Sequence, residues 1–190
     1  ELNGREVPKT WDDILSPEFE DSVAVPMGDL DLFNALVVNL YKEYGMDGIT
    51  RLARSYKKSL HPAQMVKAKS KGKSENPAVS IIPYFFTQMI QGNNQVAVWP
   101  EDGAVISPIF MIAKKDKKEK TQPIIDFFMS EAVGKVFSAN GKFPSTNRLV
   151  DNGLSPDQKF KWVGWDFIEK TDIGALLRDL EAKFNEDILK

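Results

Sequence analysis

The chain has no cysteine and a single histidine, His61, in 190 residues. Disulfides, thiolate metal sites and cysteine nucleophiles are therefore excluded. Zinc sites built from two or three histidines are excluded as well, and a Ser-His-Asp triad would have to use His61. A cysteine-free chain fits the cytosol and an extracytoplasmic space equally, so this absence chooses no compartment. Long apolar runs are also missing: the longest extend for about ten residues, too short to span a bilayer. Neither charge sign dominates. With 25 Lys and Arg against 27 Asp and Glu, the net charge is −2, and there is no basic surface of the kind that binds nucleic acid. No Gly-rich phosphate loop, dinucleotide-binding fingerprint or nucleophile elbow occurs. No secretory signal is visible, and Glu1 is not an initiator methionine, which fits a start left by processing.

What is present is an ordinary globular composition, 42% apolar and 27% charged, in a length that suits one large domain or two small lobes. Thr10 is placed to cap a short helix, with Asp12 and Asp13 in its first turn, where carboxylates favour the helix dipole. Ser16-Pro17-Glu18 reads as a turn. Ser22-Val23-Ala24-Val25 reads as a buried strand stopped by Pro26. A helix is expected over 30–44, ended by Gly45, and a second from Asp47 through Arg54 and Tyr56. Ser59-Leu60-His61-Pro62 breaks the chain before a short helix over 63–69. Residues 67–76 are Lys- and Ser-rich and read as a solvated loop. A strand over 78–82 ends at Pro83, a helix follows over 84–90, and Gly92-Asn93-Asn94 turns the chain.

Residues 96–98 then read as a strand running into Trp99-Pro100, two adjacent carboxylates (Glu101 and Asp102) and Gly103, before a second apolar run over 104–113. Residues 114–120 form a basic loop, and Thr121-Gln122-Pro123 opens a helix that carries Ile124, Ile125, Phe128, Ala132, Val136 and Phe137 and ends at Asn140-Gly141. Residues 143–147 are turn-rich. A final amphipathic helix over 173–189 places Leu176, Leu177, Leu180, Phe184 and Ile188 toward the core. Strands alternating with helices point to an α/β fold with a partly parallel sheet.

Three strand-to-helix loops recur, at Met27-Gly28-Asp29, Pro83-Tyr84 and Pro100-Glu101-Asp102, and such loops gather at one edge of an open α/β sheet, where ligands bind. His61-Pro62 adds a further helix N-terminus. Each residue also has a plainer role open to it. Asp29 and Asp31 suit helix caps, His61 a cap or surface position, and Tyr84 with Phe85 and Phe86 a core. Ser145-Thr146-Asn147 suits a turn. Glu101 and Asp102 suit an acidic turn facing water, because adjacent side chains usually diverge and a carboxylate pair working on one bond is a poor reading.

The order of these pieces carries a resemblance. Val7-Pro8-Lys9-Thr10-Trp11-Asp12-Asp13-Ile14-Leu15-Ser16-Pro17 followed by Ser22-Val23-Ala24-Val25-Pro26 resembles the lead-in to the second lobe of ABC-transporter solute-binding proteins with the type II periplasmic-binding-protein fold. Trp99-Pro100-Glu101-Asp102-Gly103-Ala104 through Ser107-Pro108-Ile109-Phe110 resembles the return crossing in the ferric-iron-type branch. Ile124-Ile125-Asp126-Phe127-Phe128, Gly134 and Gly141-Lys142-Phe143-Pro144-Ser145 resemble the segment after it.

The resemblance implies a mixed sheet flanked by helices, two lobes joined by crossing strands, and capture of a solute in the cleft between them without catalysis or a cofactor. It implies residues 1–103 as the second lobe, 104–150 as the return crossing with part of the first lobe, and 151–190 as a C-terminal helical segment packing on both. The chain is shorter than a complete member, so a C-terminal fragment is expected. The implied partners are a small-molecule solute and the membrane permease of an ABC importer. The implied location is extracytoplasmic, in the periplasm or lipid-anchored at the cell surface. Expected ligand contacts are Gly28, Asp29, His61, Tyr84, Glu101 and Asp102, suited to a small polar or anionic solute. Iron-binding relatives carry adjacent tyrosines where this chain has Tyr84-Phe85, and one phenolate is a poor match for a cation that wants several oxygen ligands. A ferric-iron receptor using Tyr84 is thus the alternative within the family. A hydrolase or transferase using His61 is the alternative outside it.

Overall fold

A computed structural model describes residues 2, 4–66, 76–90, 95–141 and 143–189. Most of the Lys-rich loop expected over 67–76, the end of the helix expected over 63–69 and the Gly92-Asn93-Asn94 turn lie outside the described residues. The α/β architecture is present as two small parallel sheets among helices. The chain forms two compact units, one of Glu1–Ser107 with Asp157–Lys190 and one of Pro108–Pro156.

In the first unit, α1 (Trp11–Ile14) begins at a reciprocal cap. Thr10 Oγ1 accepts from the Asp13 amide, and the Asp13 carboxylate accepts from the Thr10 amide. The Asp13 carboxyl is held below its ordinary pKa, chiefly by the Lys9 amide that donates to it. A 3₁₀ turn, Pro17–Phe19, leads to β1 (Val23–Val25), whose three side chains are all buried. The continuous apolar run suits a central strand covered on both faces. α2 (Leu30–Ser55) follows, with Asp29 as its N-cap. Gly45 breaks it with φ +65 and ψ −158, a conformation that glycine adopts without steric cost, so the expected pair of helices is two helical segments meeting at this residue.

β2 (Tyr56–Ser59) was not expected, because Tyr-Lys-Lys-Ser has neither an apolar run nor a buried face. It exists because it pairs in parallel with β1 as the sheet's outer strand, where lysines are tolerated. After α3 (Pro62–Met65) comes β3 (Val79–Ser80), parallel to β1 on its other side. The helix expected over 84–90 is a 3₁₀ helix, Tyr84–Met89, in which the Thr87 hydroxyl donates to the Tyr84 carbonyl at 2.6 Å. Such back-bonding competes with the i to i−4 backbone pattern of an α-helix.

Residues 96–98 are not a strand. Their backbone joins no ladder among the described residues, and Val96 and Val98 are exposed. β-branched residues prefer extended structure only where a partner strand and a packed face reward it. Of the apolar run over 104–113, only β4 (Ala104–Val105) is a strand. It pairs in parallel with β5 (Phe160–Lys161).

α6 (Trp165–Lys170) and α7 (Ile173–Asp187) complete this unit. Asp172 caps α7, accepting from the Ala175 amide at 2.9 Å. Leu176, Leu180 and Phe184 of α7 are buried, as their spacing requires, and pack on α2. The Phe184 ring meets Phe33 and Tyr56 edge-on, at 5.3 and 5.6 Å between centroids.

In the second unit, residues 114–120 are not a loop. A 3₁₀ turn, Lys115–Lys117, runs straight into α4 (Lys118–Phe128), and the Thr121 hydroxyl donates to the Lys117 and Lys118 carbonyls from inside the helix rather than capping it. The expected single helix is divided into α4 and α5 (Glu131–Gly141), because Ser130 accepts from the Val133 amide and starts a new helix. Ser145 and Asn152 exchange two hydrogen bonds of 2.7 and 3.0 Å, closing the 145–152 turn region.

Candidate functional site

Both neighbours of β1 run parallel to it, so the three strands end at one edge of the sheet. The residues that follow them leave from that edge: 26–29 after β1, 60–61 after β2 and 81–84 after β3. Four of the six residues singled out from the sequence, Gly28, Asp29, His61 and Tyr84, therefore share the carboxyl edge. The order β2-β1-β3 means that the chain leaves β1 to one side and returns past it to the other. In open α/β sheets the crevice at such a reversal is where ligands bind. Here the reversal falls between β1 and β3, which are followed by residues 26–29 and 81–84.

The local roles of these residues differ. Gly28 has open space where a Cβ would stand, so crowding does not dictate its identity. One Asp29 carboxylate oxygen accepts from the Leu32 amide at 3.5 Å, at the N-terminus of the first helical segment of α2. His61 caps α3: its Nδ1 accepts from the Ala63 amide, while Gln64 Oε1 accepts from the His61 amide, both at 3.2 Å. Its ring stands edge-on to Phe86. Tyr84 meets Trp99 edge-on at 5.2 Å, and Trp99 in turn meets Phe160 at 5.5 Å. The Trp99 indole N–H donates to the Lys159 carbonyl at 2.8 Å, which fixes the ring.

Glu101 and Asp102 diverge. The Glu101 side chain is exposed, and its amide donates to the Lys9 carbonyl at 2.8 Å. The Asp102 carboxylate is engaged on two sides: the Trp11 amide donates to it at 3.3 and 3.4 Å, and Lys161 Nζ lies 3.0 Å away. The Trp11 indole N–H adds a 2.8 Å bond to the Gly103 carbonyl. Gly103 has φ +112, and a Cβ there would stand 2.9 Å from the Phe160 carbonyl carbon, so only glycine fits between the turn and β5.

Lys161 was not singled out from the sequence, yet it is the hub of this cluster, paired with both Glu43 and Asp102. Burial by itself lowers its pKa, but hydrogen bonds to the two carboxylates outweigh that and hold it above the ordinary value. Tyr44, close by, is raised by burial and by the charges of Glu43 and Asp102. A sequence signal for Lys161 does exist: a lone lysine set inside Phe160-Lys161-Trp162-Val163.

A cavity of about 590 Å³ opens in the first unit, bounded by α2, the segment after β3 and residues 95–100. Of the six candidates only Tyr84 lines it; Trp99, Gln95 and Lys9 line it without having been expected to bind. Among the described residues, no group of three or more His, Asp or Glu side chains is arranged to hold a metal ion.

Comparison with known proteins adds one finding. The family model described as bacterial extracellular solute-binding protein matches residues 1–171. Neither the curated proteins nor the solved structures gave a match.

Proposed function

The chain belongs to the bacterial extracellular solute-binding proteins, and from that membership we propose that it is the substrate-binding component of an ABC importer, taking up a small polar or anionic solute and delivering it to the membrane permease. The family binds substrate for transport outside the cytoplasm and is a binding family rather than an enzyme family. The observation that carries the finer reading is the parallel β2-β1-β3 sheet, whose carboxyl edge bears Gly28, Asp29, His61 and Tyr84. Asp29 offers a carboxylate to solute hydroxyls beside the amides of the first turn of α2, and the Tyr84 phenol offers a further polar contact. Glu101, exposed at its turn, is a second hydroxyl acceptor in this proposal, and Asp102 supports that turn through Trp11 and Lys161.

Isothermal titration of the protein against a panel of sugar phosphates, with inorganic phosphate as the smallest member, tests the reading. Saturable binding of at least one sugar phosphate is expected. Tyr84→Phe, which removes one hydroxyl, is expected to weaken it roughly two- to tenfold. Absence of binding across the panel would sink the polar-solute reading.

A further inference from the structure

The cavity in the first unit has a chemistry of its own. At about 590 Å³ it is within the range of roughly 300–1,000 Å³ that small-molecule sites occupy. Its walls are mainly aliphatic and aromatic, with Leu32, Met65, Ile81, Val98, Tyr84 and Trp99 among them. Among the described residues its one ionised side chain is Lys9, and no Asp or Glu lines it. Asp29, Glu101 and Asp102 all lie outside the lining.

We propose that this cavity receives the ring-bearing apolar part of a neutral or anionic solute, packed against Tyr84 and Trp99 with Lys9 as its charged neighbour. The inference rests on the solute-binding reading and names the class of solute that the cavity beside Tyr84 would take.

Two observations carry it. First, the aromatic wall is already built. Trp99 is fixed by its bond to the Lys159 carbonyl and by Phe160 behind it, so its polar atom is satisfied and its ring offers apolar surface at little ordering cost. Tyr84 meets it at an interplanar angle of 85°. Two rings set edge-to-face leave a corner that complements a third ring. Second, the charge pattern selects. A cation entering this space would lose its hydration with no carboxylate among the described lining residues to replace it. An anionic group can remain beside the exposed Lys9 while the apolar body is buried. A few polar side chains, Thr10, Ser80 and Gln95, are available to orient a neutral solute.

Three probes separate the parts: inorganic phosphate, benzyl alcohol and phenyl phosphate, each titrated calorimetrically into the whole chain. Phenyl phosphate is expected to bind roughly ten- to hundredfold more tightly than inorganic phosphate, the gain from burying one ring. Benzyl alcohol is expected to compete with it. Trp99→Ala removes one wall, and Ala35→Leu fills the space from α2, since Ala35 lines the cavity. Each is expected to abolish the advantage of the ring while retaining the far-ultraviolet circular dichroism of the parent. Lys9→Gln is expected to weaken phenyl phosphate and leave benzyl alcohol unchanged.

The proposal is overturned if phenyl phosphate binds no better than inorganic phosphate, or if benzyl alcohol fails to compete. It is also overturned if both folded cavity variants keep the ring's advantage. If one variant does not fold, the other decides, and competition in the parent protein decides without either. Failure of inorganic phosphate and of every sugar phosphate, with phenyl phosphate still bound in a Trp99-dependent way and displaced by benzyl alcohol, would remove the polar-solute reading while supporting the cavity assignment.

Discussion

Replacing Asp102 by alanine distinguishes a carboxylate that organises the turn from one that only waits for ligand. The side chain is 23% exposed and its partner Lys161 only 12%, so the pair sits between the surface and the interior. Surface pairs contribute about 0–1 kcal/mol, and breaking a fully buried pair costs about 3–5 kcal/mol. Lys161 keeps Glu43 when Asp102 is lost, which removes the worst outcome, an ammonium with no counter-charge. The Trp11 amide, however, loses its acceptor at the start of α1. An intermediate loss of about 2 kcal/mol follows, equivalent to about 4–8 °C in a chain of this size. Asp102→Asn should fall between, since its amide oxygen can still accept from Trp11. Glu101→Ala, at an exposed side chain, should change stability by about 0.5 kcal/mol or less. Urea denaturation followed by tryptophan fluorescence reads all three, with a Lys161→Met double-mutant cycle to isolate the pair. An Asp102→Ala protein as stable as the parent, or a larger loss from Glu101→Ala, would refute the reasoning.

Other outcomes follow from the same contacts. Phe184→Ala, in a fully buried position between Phe33 and Tyr56, should cost about 3–5 kcal/mol in urea melts, because α2 and α7 cannot close the space left. Gly103→Ala should lower the melting temperature measured by calorimetry, since a β-carbon at φ +112 is strained and abuts the Phe160 backbone. The folded state raises the pKa of Lys161, so the stability this group contributes is complete below its ordinary value of 10.5 and is lost as pH rises through the folded value. Lys161→Met should therefore flatten the alkaline loss of stability in denaturation series run on either side of that pH. Asp13 runs the other way: its lowered pKa contributes stability that is complete above 3.8 and is lost as pH falls through the folded value, so Asp13→Asn should blunt acid unfolding.

Much of the frame is legible in the chain alone. Thr10 with Asp13, and Asp29, announce helix starts through side-chain oxygens that reach amides three residues on, a local interaction that needs no tertiary partner. Val23-Ala24-Val25 before Pro26 gives the central strand, and Leu176, Leu180 and Phe184 give the buried face of α7, because periodicity reports directly on burial. The acidic turn at Glu101-Asp102-Gly103 was visible too, and its glycine has a steric reason to be there.

The residues that follow the strands could be named from the chain alone; their gathering at one edge could not. β2 carries two lysines and no apolar run, so only its pairing with β1 makes it a strand, and only that pairing brings His61 to the edge shared by Asp29 and Tyr84. The reverse holds at residues 96–98, where strand-forming side chains lack a ladder and line a cavity instead. Local pattern determined an α/β fold with an acidic turn, and the order of its segments carried the resemblance that implied a binding protein. Pairing between distant segments decided which carboxylate is committed to Lys161, which tyrosine faces open space and where that space lies. Such pairings depend on residues about 60 to 140 positions apart, as with Asp102 and Lys161 or Thr50 and Asp187, and no local preference encodes them.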